Sequence, residues 1–312
     1  MRIVFAGTPD AALPALDALL ESRHEVLGVV TRPDAPAGRG RRVASSPVTR
    51  RAAVAGIEVL RPDSPKDPGF LGWLKEVSPD GCAAVAYGAL LPANVVEIPR
   101  VGWVNLHFSL LPAWRGAAPV QRALIAGDVI TGASTFRIVP ELDAGPVFGV
   151  LTERIRADDT AGTLTRRLAE HGADLLVSTL DGIEEGSLQP REQDHRGASY
   201  APKLSADEAQ IPWRQPAHVV DRLIRGCTPA PGAWTTNGDL RLKIGPSKPR
   251  ADVLDLTPGR LRVSKSDVLV GTGTHAVALT TVQRAGKKPM HAVDWARGLR
   301  SGPGLVLGSR SP

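Results

Sequence analysis

Residues 104–116, VNLHFSLLPAWRG, decide how this chain is read. An apolar run enters through Gly102, Trp103 and Val104, then sets Asn105 and His107 on alternate positions around Leu106. The chain next turns sharply through LLPAWRG, and the following PVQRALIAGD reads as helix. Side chains of a strand alternate faces, so Asn105 and His107 point the same way. The stretch is therefore a strand–turn–helix unit with two polar groups together at the strand's carboxyl end.

Units of this kind recur through the first 180 residues. Strand patterns occupy 2–7, 25–31, 57–62, 82–87, 102–108, 133–139 and 147–155, and helical patterns occupy 10–21, 47–55, 118–126 and 160–181. Ser46-Pro47 and Asp159-Thr160 supply N-cap signals for two of the helices. This alternation predicts a doubly wound, mostly parallel, Rossmann-like α/β domain over 1–185, with any active site at the carboxyl ends of its strands. Residues 186–206 have little apolar periodicity and read as a linker. Over 207–312 a helical stretch precedes short strands punctuated by turns, which argues for a small β-barrel or sandwich.

The totals fit this division. A chain of 312 residues exceeds one ordinary domain, and 42% hydrophobic residues suffice for a packed core. No apolar run approaches the length of a membrane helix. The opening 22 residues contain Asp10 and two prolines, and parse as strand, turn and helix in place of a signal peptide. Cys82 and Cys227 stand far apart in no metal-ligand spacing, so free thiols, no metal and a cytoplasmic location are expected. The net charge of +6 is unevenly spread. Residues 207–312 hold sixteen Lys and Arg against eight Asp and Glu, and residues 1–206 hold twenty-two against twenty-four. All the excess positive charge thus lies in the last third, which suits a polyanionic partner, although solvation alone also uses such a surface.

Three further stretches carry chemistry. AGTPD (6–10) has a single glycine where a dinucleotide fold would show G-x-G-x-x-G, so that class is disfavoured. TRPDAPAGRGRRVASSP (31–47) gathers Arg32, Arg39, Arg41 and Arg42 in a long loop placed where a doubly wound fold keeps its ligand, and a phosphate-backbone contact is expected there. VPELDAGPVF (139–148) sets Asp143 in a Gly/Pro-bounded turn, where its carboxylate can hydrogen-bond His107 and hold a water. His107 can exchange protons near neutrality, and an adjacent amide can donate to a developing oxyanion. The alternatives are a polar pair satisfied within the sheet and an aspartate that only forms a turn.

NLHFSLLPAWRGAAPVQRALIAGD together with Asp143 resembles the folate-dependent formyltransferases. VFAGTPD, PDAPAGRGRR, AYGALLP, YAPKLSADEAQIPW, PAPGAW and VQRAGKKPM follow in the order of the methionyl-tRNA formyltransferase family, so the resemblance spans nearly the whole chain. It implies transfer of a formyl group from 10-formyltetrahydrofolate, without a metal, to the amino group of methionyl initiator tRNA. It implies Asn105, His107 and Asp143 as catalytic residues. Ser109, Leu110, Leu111 and Pro112 match the tetrahydrofolate-binding stretch, and Tyr87 and Leu90 of AYGALLP fall in the segment lining the pterin pocket. Arg32, Arg39, Arg41 and Arg42 match the loop that reads the tRNA acceptor end, and Lys287 and Lys288 fall in an OB-like tRNA-binding domain. Phe108 departs from the small residue many members carry there, and Pro212 also departs from the usual wording.

Competing readings are a formyltransferase acting on a small amine or amino sugar nucleotide, a non-catalytic RNA-binding protein, and a nicotinamide oxidoreductase. A monomer without membrane association is expected, since no coiled-coil seam or apolar span is evident.

Overall fold

The computed structural model describes residues 1–37, 42–299 and 305–308, without the side chains of residues 36, 37, 42 and 43. The chain divides into two compact units. One comprises Met1–Pro119, Ile130–Arg154 and Thr165–Ala201; the other comprises Val120–Val129, Ile155–Leu164 and Pro202–Pro312.

The first part of the chain runs β1 (Arg2–Gly7), α1 (Leu13–Glu21), β2 (Glu25–Val30), the hairpin strands β3 (Ala35–Ala37) and β4 (Arg42–Ala44), α2 (Pro47–Val54) and β5 (Val59–Leu60). It continues through α3 (Pro68–Val77), β6 (Gly81–Val85), the single turn α4 (Ala93–Val96), β7 (Trp103–His107), α5 (Pro119–Ala126), β8 (Ile130–Arg137), β9 (Val147–Arg154) and α6 (Ala161–Glu184). Seven strands form one sheet in the order β5-β2-β1-β6-β7-β8-β9. The sheet is parallel from β5 to β7 and antiparallel from β7 through β8 to β9. The turn between β8 and β9 is too short for the crossover that a parallel pair requires.

Both faces of the centre are covered, as a parallel sheet demands. β6 is buried throughout, and β7 is buried except at Asn105. Trp103, on the same face as Asn105 and His107, is fully buried with Val4, Leu74, Cys82 and Val95, and donates its indole N–H to the Val95 carbonyl at 3.1 Å. On the opposite face Leu106 meets α6 at Gly172, where a Cβ would approach Leu106 Cδ2 to 2.9 Å. The anticipated caps are present: Ser46 Oγ accepts the Thr49 N–H at 3.0 Å, and Thr160 Oγ1 accepts the Thr163 N–H at 3.2 Å.

Helix α3 is absent from the sequence reading, because Pro68, Gly69 and Gly72 are poor helix residues. Burial of Phe70 and Leu74 and the Asp67 cap on the Phe70 N–H (3.0 Å) override that propensity. Residues 186–206, read as a linker, behave otherwise as far as Ala201. Arg191 bridges to Val147, Tyr200 bridges to Arg115, and Gln193 is buried, all within the first unit. Such isolated bridges leave no periodic trace in a sequence.

The last third contains α7 (Ala217–Gly226), β10 (Trp234–Asn237), β11 (Leu240–Ile244), β12 (Ser247–Arg250), β13 (Leu261–Val263) and β14 (Val268–Val270). β15 (Ala276–Leu279), β16 (Thr281–Arg284), β17 (Met290–His291) and α8 (Ala292–Arg297) complete it. Its strands make two antiparallel sheets, β10-β11-β16-β17 and β12-β15-β14-β13. The chain passes from one sheet to the other between β11 and β12 and again between β15 and β16. Val268, Val270, Val277 and Leu279 turn inward with Leu242, Ile244, Val220, Ile224 and Trp295, while Leu269, Ala276 and Ala278 face Val253 on the other side. Among the described residues no helix is long and apolar enough to cross a membrane.

Two outcomes follow for equilibrium denaturation and thiol chemistry. Trp103→Ala removes a fully buried side chain and is expected to lower stability in urea by about 3–5 kcal/mol, against about 1 kcal/mol for loss of the Asp67 cap in Asp67→Ala. Cys82 and Cys227 are both buried, and burial pushes the Cys227 thiol up to about 11, so neither should react with iodoacetamide at neutral pH until denaturant is added.

Candidate active site

Strand periodicity carries Asn105 and His107 to one face of β7 beside Ala84 of β6, with Phe136 of β8 pairing across from Asn105. A cavity of about 540 Å3 opens there. Ala84, Ala86 and the Tyr87–Leu91 segment form one wall, and Phe108, Gly116, Phe136 and the Val139–Asp143 segment form another. Asn105, His107 and Asp143 all line it, as the sequence reading expects. The size and mixture of apolar walls with a few convergent polar groups suit a small-molecule ligand. Among the described residues no side-chain hydrogen bond engages the Asn105 amide, whose donors are left to the cavity.

His107 is held from behind. Its Nε2 lies 2.9 Å from the Trp114 carbonyl, which can only accept, so Nε2 carries hydrogen. The ring meets Phe136 edge-on at 6.4 Å. Nδ1 therefore faces Asp143, whose Oδ2 lies 3.7 Å away. This is ion-pair distance, and the direct hydrogen bond expected from sequence is not formed. The same carboxylate oxygen instead accepts the Gly116 N–H at 2.8 Å, so the imidazole and the carboxylate are each anchored to one loop, the segment 108–118.

Backbone strain collects at this place. Ala86, Trp114 and Asp143 have φ of 47°, 60° and 49°, a region costly for any side chain. Ala86 and Asp143 line the cavity, and Trp114 aims its carbonyl at His107.

The other anticipated residues divide. Tyr87 and Leu90 line the cavity, with burial pushing the Tyr87 phenol up against the opposing charge of Arg32. Leu90 is 73% exposed at the mouth. Ser109, Leu110, Leu111 and Pro112, the expected tetrahydrofolate-binding stretch, follow directly after Phe108 of the cavity wall and are not themselves part of its lining. Ser109 is fully buried, donating Oγ to the Ala113 carbonyl at 2.6 Å while its own carbonyl accepts from Ser134 Oγ at 2.7 Å. Leu111 N–H donates to the same Ser134 Oγ at 3.1 Å. These bonds brace the loop that delivers Trp114 and Gly116. Phe108, the departure noted in the motif, fills part of the cavity wall.

Of the cationic residues, Arg32 is half-buried and donates Nη1 to the Asp63 carbonyl at 3.2 Å. Arg39 and Arg41 lie outside the described residues, as does the side chain of Arg42 at the start of β4. Lys287 and Lys288 are exposed in the turn between β16 and β17 of the second unit. One possible metal cluster occurs among the described residues: His24, Asp181 and Glu184, away from the cavity lining and already neutralised by Arg23 at 2.5 Å from Asp181. Sequence reasoning missed Gly116 and Arg115 as site residues although both lie in the motif. It also missed Gln193, which sits in a segment without any periodic signal.

Both parts of the chain match known proteins. The formyl transferase family model matches residues 1–180, and its C-terminal domain model matches residues 203–300. A solved structure of HypX from Aquifex aeolicus in complex with tetrahydrofolic acid superposes with a TM-score of 0.69 at 19% identity, over 96% of this chain and 47% of that one, which bears on fold alone. The methionyl-tRNA formyltransferase of Thermobifida fusca (strain YX) is 62% identical over 308 residues, covering 99% of both chains. That of Streptomyces griseus subsp. griseus is 60% identical over 309 residues, covering 99% of this chain and all of the other. With near-complete coverage at such identity, the chain belongs to the methionyl-tRNA formyltransferase family.

Proposed function

We propose that this protein transfers the formyl group of 10-formyltetrahydrofolate to the α-amino group of methionyl initiator tRNA. The observation that carries the reading is the meeting of Asn105, His107 and Asp143 around one cavity, in a chain about 60% identical to methionyl-tRNA formyltransferases from end to end. The cavity accepts a flat donor between small residues, Ala84, Ala86 and Gly88, and the apolar Phe108 and Phe136.

The chain's own groups then divide the work. The methionyl amine attacks the formyl carbon and negative charge grows on the formyl oxygen. The Asn105 amide donates to that oxygen, and His107, protonated at Nδ1 while Nε2 stays on the Trp114 carbonyl, supplies the positive charge beside it. Asp143 balances His107 across the 3.7 Å gap, close enough for both to bond one water lying beside them in the cavity. The amine loses one proton, the departing folate nitrogen gains one, and Asp143 passes it through water. Atoms and charge balance without a covalent enzyme intermediate.

For the tRNA we assign the second unit together with the 31–47 loop. Lys248, Arg260, Lys265, Arg284 and Lys288 are exposed, whereas Asp221, Asp252, Asp255 and Asp294 are each engaged by an arginine. The acidic residues are thus largely masked, leaving a surface suited to phosphates. The division proposed is a catalytic domain over 1–185 and a tRNA-binding domain over 207–312, acting as a monomer in the cytoplasm.

Asn105→Ala and His107→Ala are each expected to lower turnover by roughly 10²–10³-fold, read as labelled formate appearing on charged initiator tRNA. Rates within about threefold of the unmodified enzyme would remove these roles. KM for tRNA should rise at least about tenfold between 50 and 200 mM salt, while KM for the formyl donor hardly moves. A flat tRNA response, or formylation of small amines in preference to charged tRNA, would overturn the proposed acceptor.

A further inference from the structure

Arg115 is one of the largest fully buried side chains in the protein, at 1% exposure, and the chemistry outlined above does not use it. Its guanidinium is not neutralised in the usual way. Nε and Nη2 donate to Gln193 Oε1 at 3.1 and 2.8 Å. Nη1 and Nη2 reach His195 Nδ1 at 3.5 and 3.4 Å, and the carboxylate beside it, Glu141, lies 3.7 Å from Nη1 and is 64% exposed. Retaining a buried charge with so little compensation is costly, and an apolar side chain would fill the space as well.

The bonds beyond it give the reason. Gln193, also buried, turns its amide N–H groups onto two carbonyls, those of Asp143 at 2.9 Å and Gly145 at 2.7 Å. Here the guanidinium does not bond these two carbonyls itself: the connection runs through a side chain that accepts on its oxygen and donates twice from its nitrogen. Glutamine is such a group. Arg115 fixes which way its amide points, and the amide then clamps the turn in which Asp143 sits at φ 49°. The next residue in sequence, Gly116, holds the Asp143 carboxylate from the other side. Gly145 packs so closely that no side chain fits there: a Cβ would lie 1.8 Å from the Arg137 carbonyl.

We infer that Arg115 and Gln193 are positioning residues for the formyl transfer: a donor–acceptor relay that locks the strained Asp143 turn so that its carboxylate faces His107. This inference rests on the catalytic reading of Asp143 given above. The relay touches no substrate, so its loss is felt in turnover and not in donor binding.

Gln193→Glu is the sharpest test. It keeps the shape and gives the buried guanidinium a carboxylate, so folding is preserved, but it replaces the two donors with an oxygen facing two carbonyl oxygens. The expected result is a melting temperature at or above that of the unmodified protein, kcat lower by roughly 10–100-fold and KM for the formyl donor within about threefold. Combined with Asp143→Asn, the two losses should overlap in single-turnover rates and not multiply, since both act through one carboxylate. A folded Gln193→Glu with unchanged kcat, or losses that multiply, would overturn the relay. Asp143→Asn with near-normal turnover would instead remove the catalytic reading itself, which separates the two failures. Should Gln193→Glu not melt cooperatively, Gln193→Met, equal in length and without donors, is judged by the same criteria.

Discussion

The bond from the Gly116 N–H to the Asp143 carboxylate ties together the two loops on which the site depends. One loop leaves β7 and the other leaves β8, and neither belongs to the sheet that carries them. Without this 2.8 Å contact the carboxylate would be free to turn toward solvent, and His107 would face an empty wall. The bond also explains why the imidazole and carboxylate stand 3.7 Å apart. An oxygen already accepting a backbone N–H is anchored to the loop and does not close onto the imidazole.

Rigidity below the loops makes such geometry affordable. β6 and β7 are buried almost without interruption, and Trp103 seals the face directly beneath Asn105. Strained residues persist only where their surroundings over-determine them. Here Ala86, Trp114 and Asp143 each hold an unfavourable φ around one cavity, while β6 and β7 pair without a break in register. Stability is concentrated in the strands and tension in the loops that leave their carboxyl ends.

Charge follows a second division of labour. The cavity is nearly neutral apart from the His107–Asp143 pair and the groups at its rim, as suits a bound small molecule whose reaction develops its own charge. The last third of the chain carries the whole positive excess, and arginines mask several of its few acids. The excess positive charge thus lies in a part of the chain that does not line the cavity.

Much of this was legible in the chain itself. Period-two alternation placed Asn105 and His107 on one face, the βα rhythm implied their position at the carboxyl ends of a parallel sheet, and caps at Ser46 and Thr160 marked two helices. These are local properties, set by neighbouring residues. What only the tertiary structure decided depended on partners far apart in sequence: the helix over Pro68–Val77, formed by burial against its propensity; the hydrogen bonds by which Ser134 braces Ser109 and Leu111; and the place of Gln193, in an apparent linker, between Arg115 and Asp143. A hydrogen bond that spans fifty or eighty positions leaves no periodicity behind, because its geometry arises from how the elements pack.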